Sequence, residues 1–301
     1  MTAFKKKILY NPLVSIIMNC YNGERYLTKS LNSILKQKYK NWELIFWDNK
    51  SRDKSKKIFK AFKDKRFRYF YSKKNHPLYK ARKLAIKKCR GNLIAFLDVD
   101  DWWSNEKLDC QVKLFKKKNV GLVYSNLYLF NDRNKKYKLW SKSNLPEGSI
   151  SSKIINNYSI GLLTVMINKK ILNKFKLNFN SKFKIIGDFD LFLKISKKSK
   201  ILCVQKPLAY YRMHENNFTL KNQDVLIKEL KSWVKTNYKD YNVTEVDEFK
   251  NNIEYLNTRN EINKKRFLTS FFRILKFPKL KIKIKLLLIL LIPKKILNFI
   301  V

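Results

Sequence analysis

Acidic residues are scarce in this chain: 23 Asp and Glu stand against 67 Lys and Arg, a formal net charge of +44. Glycine is scarcer still, six in 301 residues and nowhere clustered, which argues against a glycine-rich phosphate loop. The four cysteines, Cys20, Cys89, Cys110 and Cys203, form no C-x-x-C pair. Neither a disulfide framework nor a zinc site is indicated, and free thiols fit a reducing cytoplasm. A long apolar run is missing too. Leu286 to Ile292 is seven residues ending at Pro293, against the roughly 20 needed to span a bilayer. Lys5-Lys6-Lys7 precedes apolar residues, but Asn11-Pro12 breaks them early and no small-residue cleavage site follows. Met1 to Tyr10 therefore reads as a solvated lead-in rather than a signal peptide.

What is present suffices for a core, with 45% hydrophobic and 14% aromatic residues. The positive charge fits compositional bias, an anionic membrane surface, acidic substrates or nucleic acid; it bears on partners and solubility, not on fold. Short apolar runs at Val14–Met18, Trp42–Trp47, Phe67–Tyr71 and Leu93–Leu97 read as buried strands. Between them, Tyr26–Gln37, a segment after Ser51-Arg52-Asp53, and Tyr79–Cys89 carry apolar residues at helical spacing, the last stopped by Gly91. This alternation predicts an α/β fold with a mostly parallel, Rossmann-like sheet flanked by helices. Further strands are expected over Val120–Phe130 and Leu162–Ile167, and a helix over Asp190–Ile195. From about Lys221 the chain turns to polar helix, then to Lys and Leu/Ile alone, a helical basic extension over 221–301.

In parallel sheets ligands sit beyond the carboxyl ends of the strands. Asn19 and Tyr21, Asp48 and Asn49, and Asp98, Asp100 and Asp101 collect there. On an extended backbone Asp98 and Asp100 would point to one side. Like charges so close call for a cation, and hard oxygen ligands suit Mg²⁺ or Mn²⁺, which would neutralise a diphosphate leaving group. The competing reading is an acidic turn that caps the next helix. Trp102 and Trp103 follow; core packing is the default for such a pair, a sugar platform the alternative.

The stretches VSIIMNCYN (Val14–Asn22), FWDNKSRD (Phe46–Asp53), Ala81-Arg82-Lys83, FLDVDD (Phe96–Asp101), GDFDL (Gly187–Leu191) and YYRMH (Tyr210–His214) together resemble glycosyltransferase family 2, with its GT-A fold. The likeness runs in order over residues 12 to 220 and makes 1–220 the catalytic domain. It implies that Tyr21, with Asn22, packs on a uracil or thymine ring and that Asp48 bonds the base. Arg82 approaches the donor diphosphate and Asp98 the ribose or sugar. Asp100 and His214 reach the metal, and Asp188 is the general base. Asp190 is left a structural part.

Two positions depart from the family's habit: Gly187 stands where Glu often precedes the base, and Lys83 where Asn often follows the arginine. The Q-x-x-R-W signature of processive members is missing, which implies one sugar per encounter. The implied reaction is an inverting, metal-dependent transfer from a UDP- or dTDP-sugar to a glycan or lipid-linked acceptor of surface polysaccharide. Lys279, Lys281, Lys283, Lys285, Lys294 and Lys295 around the apolar tail suggest peripheral contact with anionic lipid at the inner face of the cytoplasmic membrane; docking on the catalytic domain is the alternative. A nucleotidyltransferase would also pair carboxylates on a metal but lacks its glycine-rich loop here. A nucleic-acid-binding protein would need no acid cluster at a strand end, so no nucleic-acid partner is expected.

Overall fold

The computed structural model describes residues 10–291; Lys5–Lys7, Ile292, Pro293, Lys294 and Lys295 lie outside the described residues. The chain forms two compact units, one reaching His214 and the other beginning at Glu215.

The first unit opens with β1 (Val14–Cys20), α1 (Glu24–Leu35), β2 (Trp42–Asp48), α2 (Ser55–Ala61), β3 (Phe67–Tyr71), α3 (Leu78–Ile86) and β4 (Leu93–Phe96). The four strands are parallel in the order β3-β2-β1-β4. All of β2 and nearly all of β1 is buried, so their sequences run apolar without alternation. α1 answers with Leu27, Leu31 and Ile34 on its inner face. Gly91 is dictated by close approach: a Cβ there would lie 2.5 Å from the Leu13 carbonyl oxygen and 2.7 Å from the Ser15 nitrogen. Beside it, Glu43 accepts hydrogen bonds from Ser15 Oγ (2.7 Å), the Arg90 N–H (2.7 Å) and Arg68 Nη1 (2.6 Å), pinning the lower end of the sheet.

Beyond β4 the sheet is mixed. β5 (Trp102–Trp103), α4 (Lys107–Leu114), β6 (Val120–Asn131), β7 (Tyr137–Leu139), α5 (Ser151–Asn156), β8 (Met166–Asn168), α6 (Lys169–Lys174), α7 (Gly187–Ser196) and β9 (Lys200–Met213) complete the unit. The order continues β4-β8-β6-β9-β5, with β7 on β6. β6 and β9 are parallel; the other new pairings are antiparallel. The parallel pairing expected for most of the sheet holds for β3-β2-β1-β4 and for β6 with β9. Of the strand expected over Leu162–Ile167, Leu162–Thr164 is a 3₁₀ turn and only the end pairs as β8. β9 escapes a sequence pattern because Lys206-Pro207 interrupts it, and its register shifts opposite Ser125 and Asn126 absorb that proline.

The second unit is helical: α8 (Phe218–Lys221), α9 (Gln223–Asn237), α10 (Val243–Asn263), α11 (Phe267–Leu275) and α12 (Leu280–Leu291). Asn242 and Glu245 form a capping box that starts α10. Trp233 of α9 meets Phe249 of α10 edge to face at 5.8 Å. Ile274, Phe277 and Leu286 form a small core that seats α12 on α11. α11 itself is turned outward: it buries Ser270 and Ile274 and exposes Phe267, Leu268, Phe271, Phe272 and Leu275.

Candidate active site

The carboxyl ends of β1, β2 and β4 meet at one rim. At the end of β1 the chain turns through Asn22, whose φ of 52° lies in the left-handed region that asparagine tolerates. Its N–H donates to Ser51 Oγ (3.1 Å) and its Oδ1 accepts from the Arg52 N–H (2.9 Å), so Asn22 ties the β1 end to the loop after β2. Tyr21 is 53% exposed at that rim. Asp48 is buried; its Oδ1 accepts from the Ser51 N–H (2.8 Å) and its Oδ2 from the Tyr69 hydroxyl (2.5 Å). Burial, and then the charge of Asp48, push the Tyr69 hydroxyl well up, so it stays a donor.

After β4 the acids lie on a turn, closed by the Asp101 N–H to the Asp98 carbonyl (3.2 Å). The condition for Asp98 and Asp100 to share a side, an extended backbone, is thus not met, and the stretch is the turn of the competing reading. The turn sends each carboxylate to a different partner. Asp98 takes Arg82 Nη2 at 2.8 and 2.9 Å. Asp100 Oδ2 faces His214 Nε2 at 3.0 Å. Asp101 is buried and accepts the Arg212 N–H (2.8 Å). Burial, then the charges of Asp100 and Asp98, push the Asp101 carboxyl well above the usual range. Arg82, expected at the diphosphate, is buried and pairs with Asp98.

Arg212 is the clamp the sequence reading did not assign. Its Nε donates to the Asp100 carbonyl (2.8 Å) and its Nη1 to Asp132 (2.9 Å). Its guanidinium lies 4.5 Å from the Tyr26 ring centre and 4.8 Å from that of Trp102. Tyr26 in turn meets the His214 ring at 5.1 Å. Burial alone would raise Asp132, but Lys135 and Arg212 hold it down to about 2. The YYRMH motif contained Arg212, but nothing local linked it to Asp132, 80 residues away. Trp102 and Trp103 are buried, and Trp103 Nε1 donates to the Leu163 carbonyl (2.8 Å), the core packing expected by default; both also line a cavity with Tyr26, Lys29 and Arg212.

Asp188 sits in the first turn of α7. It keeps an opening to solvent, yet protein groups pack around it. Burial pushes its carboxyl up, against the pull of the Arg82 charge and of a hydrogen bond from the Tyr79 hydroxyl (3.0 Å). Asp190, two residues on, is buried and paired with Lys194 (2.8 Å), the structural part expected of it. His76 lies in a loop, where its carbonyl accepts from Asn49 (2.8 Å).

The residues fit a divalent cation without forming a cage for it. Among the described residues, no three His, Cys, Asp or Glu side chains come together. Mg²⁺ and Mn²⁺ sites of the phosphate-binding kind need only one or two protein ligands, the rest being phosphate oxygens and water. One carboxylate and one imidazole, 3.0 Å apart at the rim, are such a donor set.

Comparison with known proteins bears on the family and the fold. Residues 15–185 match the family Glycosyl transferase family 2. Over 223 residues, 71% of this chain and 85% of the other, the chain is 34% identical to an Escherichia coli protein named UDP-Glc:alpha-D-GlcNAc-diphosphoundecaprenol beta-1,3-glucosyltransferase WfgD. An uncharacterized glycosyltransferase of Rickettsia bellii is 33% identical over 220 residues, 72% of this chain, which spans 31% of that protein's length. Among solved structures, S. aureus TarS 1-349 in complex with UDP superposes with a TM-score of 0.59 at 20% identity, over 89% of this chain and 76% of that one. At that identity the likeness speaks for the fold.

Proposed function

The chain belongs to glycosyl transferase family 2 and is a glycosyltransferase of GT-A fold, and on that premise we propose an inverting transfer from a nucleoside-diphosphate sugar to a hydroxyl of a surface glycan or its lipid-linked precursor. The observation that carries this reading is Arg82. It pairs with Asp98 on one side and on the other lies 5.3 Å from the centre of the Tyr79 ring, whose hydroxyl donates to Asp188, which supports reading the acidic turn and the carboxylate of α7 as one site.

In this reading Asp188 takes the proton of the acceptor hydroxyl. The freed oxygen attacks the anomeric carbon from the face opposite the diphosphate. The bond to the diphosphate breaks, and its oxygen leaves with the electron pair. A base of this kind works best with a raised proton affinity, and burial raises that of Asp188. Tyr21 offers its exposed ring to the pyrimidine, while Asn22 and Asp48 hold the loop below it and present acceptors to the base. Arg82 acts through Asp98, which it aims at the ribose or sugar. Asp100 and His214 would hold Mn²⁺ or Mg²⁺, which when bound supplies positive charge to the diphosphate. UDP or dTDP is the nucleotide expected; the names of the E. coli relative and of the TarS complex support the first.

A lipid-linked acceptor would put the protein at the inner face of the cytoplasmic membrane as a peripheral protein. No helix among the described residues is long and apolar enough to cross a membrane. The outward face of α11 supports surface contact instead, because Lys276 and Lys279 follow it and no acid follows Glu261, while Arg266 and Arg273 are paired with Glu261 and Glu254.

Calorimetric titration of UDP, dTDP and GDP with and without Mn²⁺ tests the core of the proposal. One of them should bind tighter with Mn²⁺, and Asp100→Ala should remove at least about tenfold of that gain, an interaction of roughly 1.4 kcal/mol. If none binds in a metal-dependent way, the proposal fails.

A further inference from the structure

Residue 187 has no side chain because the ring of Tyr79 stands where one would go. A Cβ built on Gly187 would lie 2.6 Å from Cδ2 and Cγ of that ring and 2.7 Å from Cε2. The ring cannot readily yield. Tyr79 is 2% exposed and stacks on Phe179 at 5.4 Å. Its hydroxyl sits between the Ile185 carbonyl and Asp188 Oδ1. A carboxylate from position 187, where Glu often precedes the base, is therefore excluded by shape. What reaches Asp188 instead is a phenol from α3.

We propose that Tyr79 is the positioning residue of Asp188: its ring fills the side-chain space of residue 187, and its hydroxyl holds the base carboxylate in place before and after proton transfer. This rests on the reading of Asp188 as the base.

The chemistry follows from one hydroxyl proton and two neighbours. While Asp188 is ionised, Tyr79 donates to its Oδ1. When Asp188 has taken the acceptor's proton, its new O–H donates to the Tyr79 oxygen, and the Tyr79 proton turns to the Ile185 carbonyl. No covalent bond to Tyr79 is made or broken. Both protonation states keep a hydrogen bond, so the carboxyl need not swing between turnovers. Burial and then the Asp188 charge push the Tyr79 hydroxyl well above its ordinary range, which keeps it a donor rather than a competing base. The other groups that face Asp188 are Arg82, from α3, and the Tyr158 hydroxyl, which is buried with no hydrogen-bond partner among the described residues. Neither replaces Tyr79: Arg82 is paired with Asp98, and the Tyr158 hydroxyl makes no hydrogen bond to the carboxylate or to any other group among the described residues.

The test reads Asp188 directly. The carboxyl ¹³C titration of aspartate-labelled protein, assigned through Asp188→Asn, is followed in the native chain and in Tyr79→Phe, which keeps the ring and loses the hydroxyl. The Asp188 midpoint should rise by about one pH unit, the worth of one hydrogen bond to a charged group. Mn²⁺-dependent UDP affinity should stay the same. The acid limb of UDP-glucose hydrolysis, with water as acceptor, should move by the same amount. Should Tyr79→Phe fold poorly, 3-fluorotyrosine placed at 79 keeps every contact and donates better, so the midpoint should fall. A midpoint that moves with neither change overturns the proposal. The base assignment fails by a different sign: Asp188→Asn would then retain native hydrolysis while the Tyr79→Phe titration still shifts.

Discussion

Substituting Gly187 by alanine adds a single methyl group, yet it should destabilise the first unit measurably. The new Cβ would stand 2.6 Å from two ring carbons of Tyr79, well inside van der Waals contact. The ring is backed by Phe179 and its hydroxyl is held at Ile185 and Asp188, so relief requires moving the backbone of α7 or α3. Overpacking of this sort costs about 1–3 kcal/mol. Gly187 is helical, with an ordinary negative φ, so no backbone strain adds to that. The same substitution in a Tyr79→Ala background should have the opposite sign. Tyr79→Ala alone empties a buried ring site and costs about 3–5 kcal/mol. With the ring gone, alanine at 187 is merely the better helix former, worth a few tenths to about 1 kcal/mol. The two effects together give a coupling of roughly 2–3 kcal/mol. Urea unfolding followed by tryptophan fluorescence suits the measurement, because Trp42, Trp47, Trp102, Trp103 and Trp140 lie in the first unit and only Trp233 in the second. Equal destabilisation by Gly187→Ala in both backgrounds would refute the steric argument.

Two other expectations are independent of that cycle. Burial alone would raise the Glu43 carboxyl, but hydrogen bonds from Ser15, the Arg90 N–H and Arg68 hold it below its usual value. A depressed folded-state pKa contributes stability above the unfolded value, near 4.3, and loses it as pH falls through the folded one. Glu43→Gln should therefore cost about 1–3 kcal/mol at pH 7 and distinctly less at pH 3, by urea unfolding at both; a pH-independent cost would contradict it. Phe271→Asp with Phe272→Asp, on the exposed face of α11, should abolish co-sedimentation with phosphatidylglycerol vesicles and leave Mn²⁺-dependent nucleotide binding intact. Native chain that ignores those vesicles would remove the membrane reading.

Much of the rim was legible in the chain. The buried strands β1, β2 and β4 are apolar runs bounded by polar residues, and each ends where a candidate site residue begins: Tyr21, Asp48, Asp98. The conformation of the acidic stretch was not. Nothing in Asp98–Asp101 reveals a turn whose stability depends on Arg82 from α3 and Arg212 from β9. Nor did Tyr79 stand out, since an aromatic residue on a helix face reads as packing until its hydroxyl is located. α11 was equally silent: the reading of polar helix and then a Lys and Leu/Ile tail passed over it, and only the structure shows Phe267, Leu268, Phe271, Phe272 and Leu275 exposed.

What the sequence determined by itself is the periodic part. Hydrophobic pattern sets which segments become strands and helices, and strand ends set where polar groups gather, because the period of apolar residues is a property of local spacing. Tertiary structure decided the pairings. Asp100 meets His214 across 114 residues, Arg212 meets Asp132 across 80, and Tyr79 displaces a side chain at Gly187 and reaches Asp188 across 109. Hydrogen-bond partners and steric exclusion are properties of distance in space. In a chain with so few carboxylates, that geometry separates the acids of the rim, Asp98 tied to Arg82 and Asp100 facing His214, from the one on α7 held by a phenol.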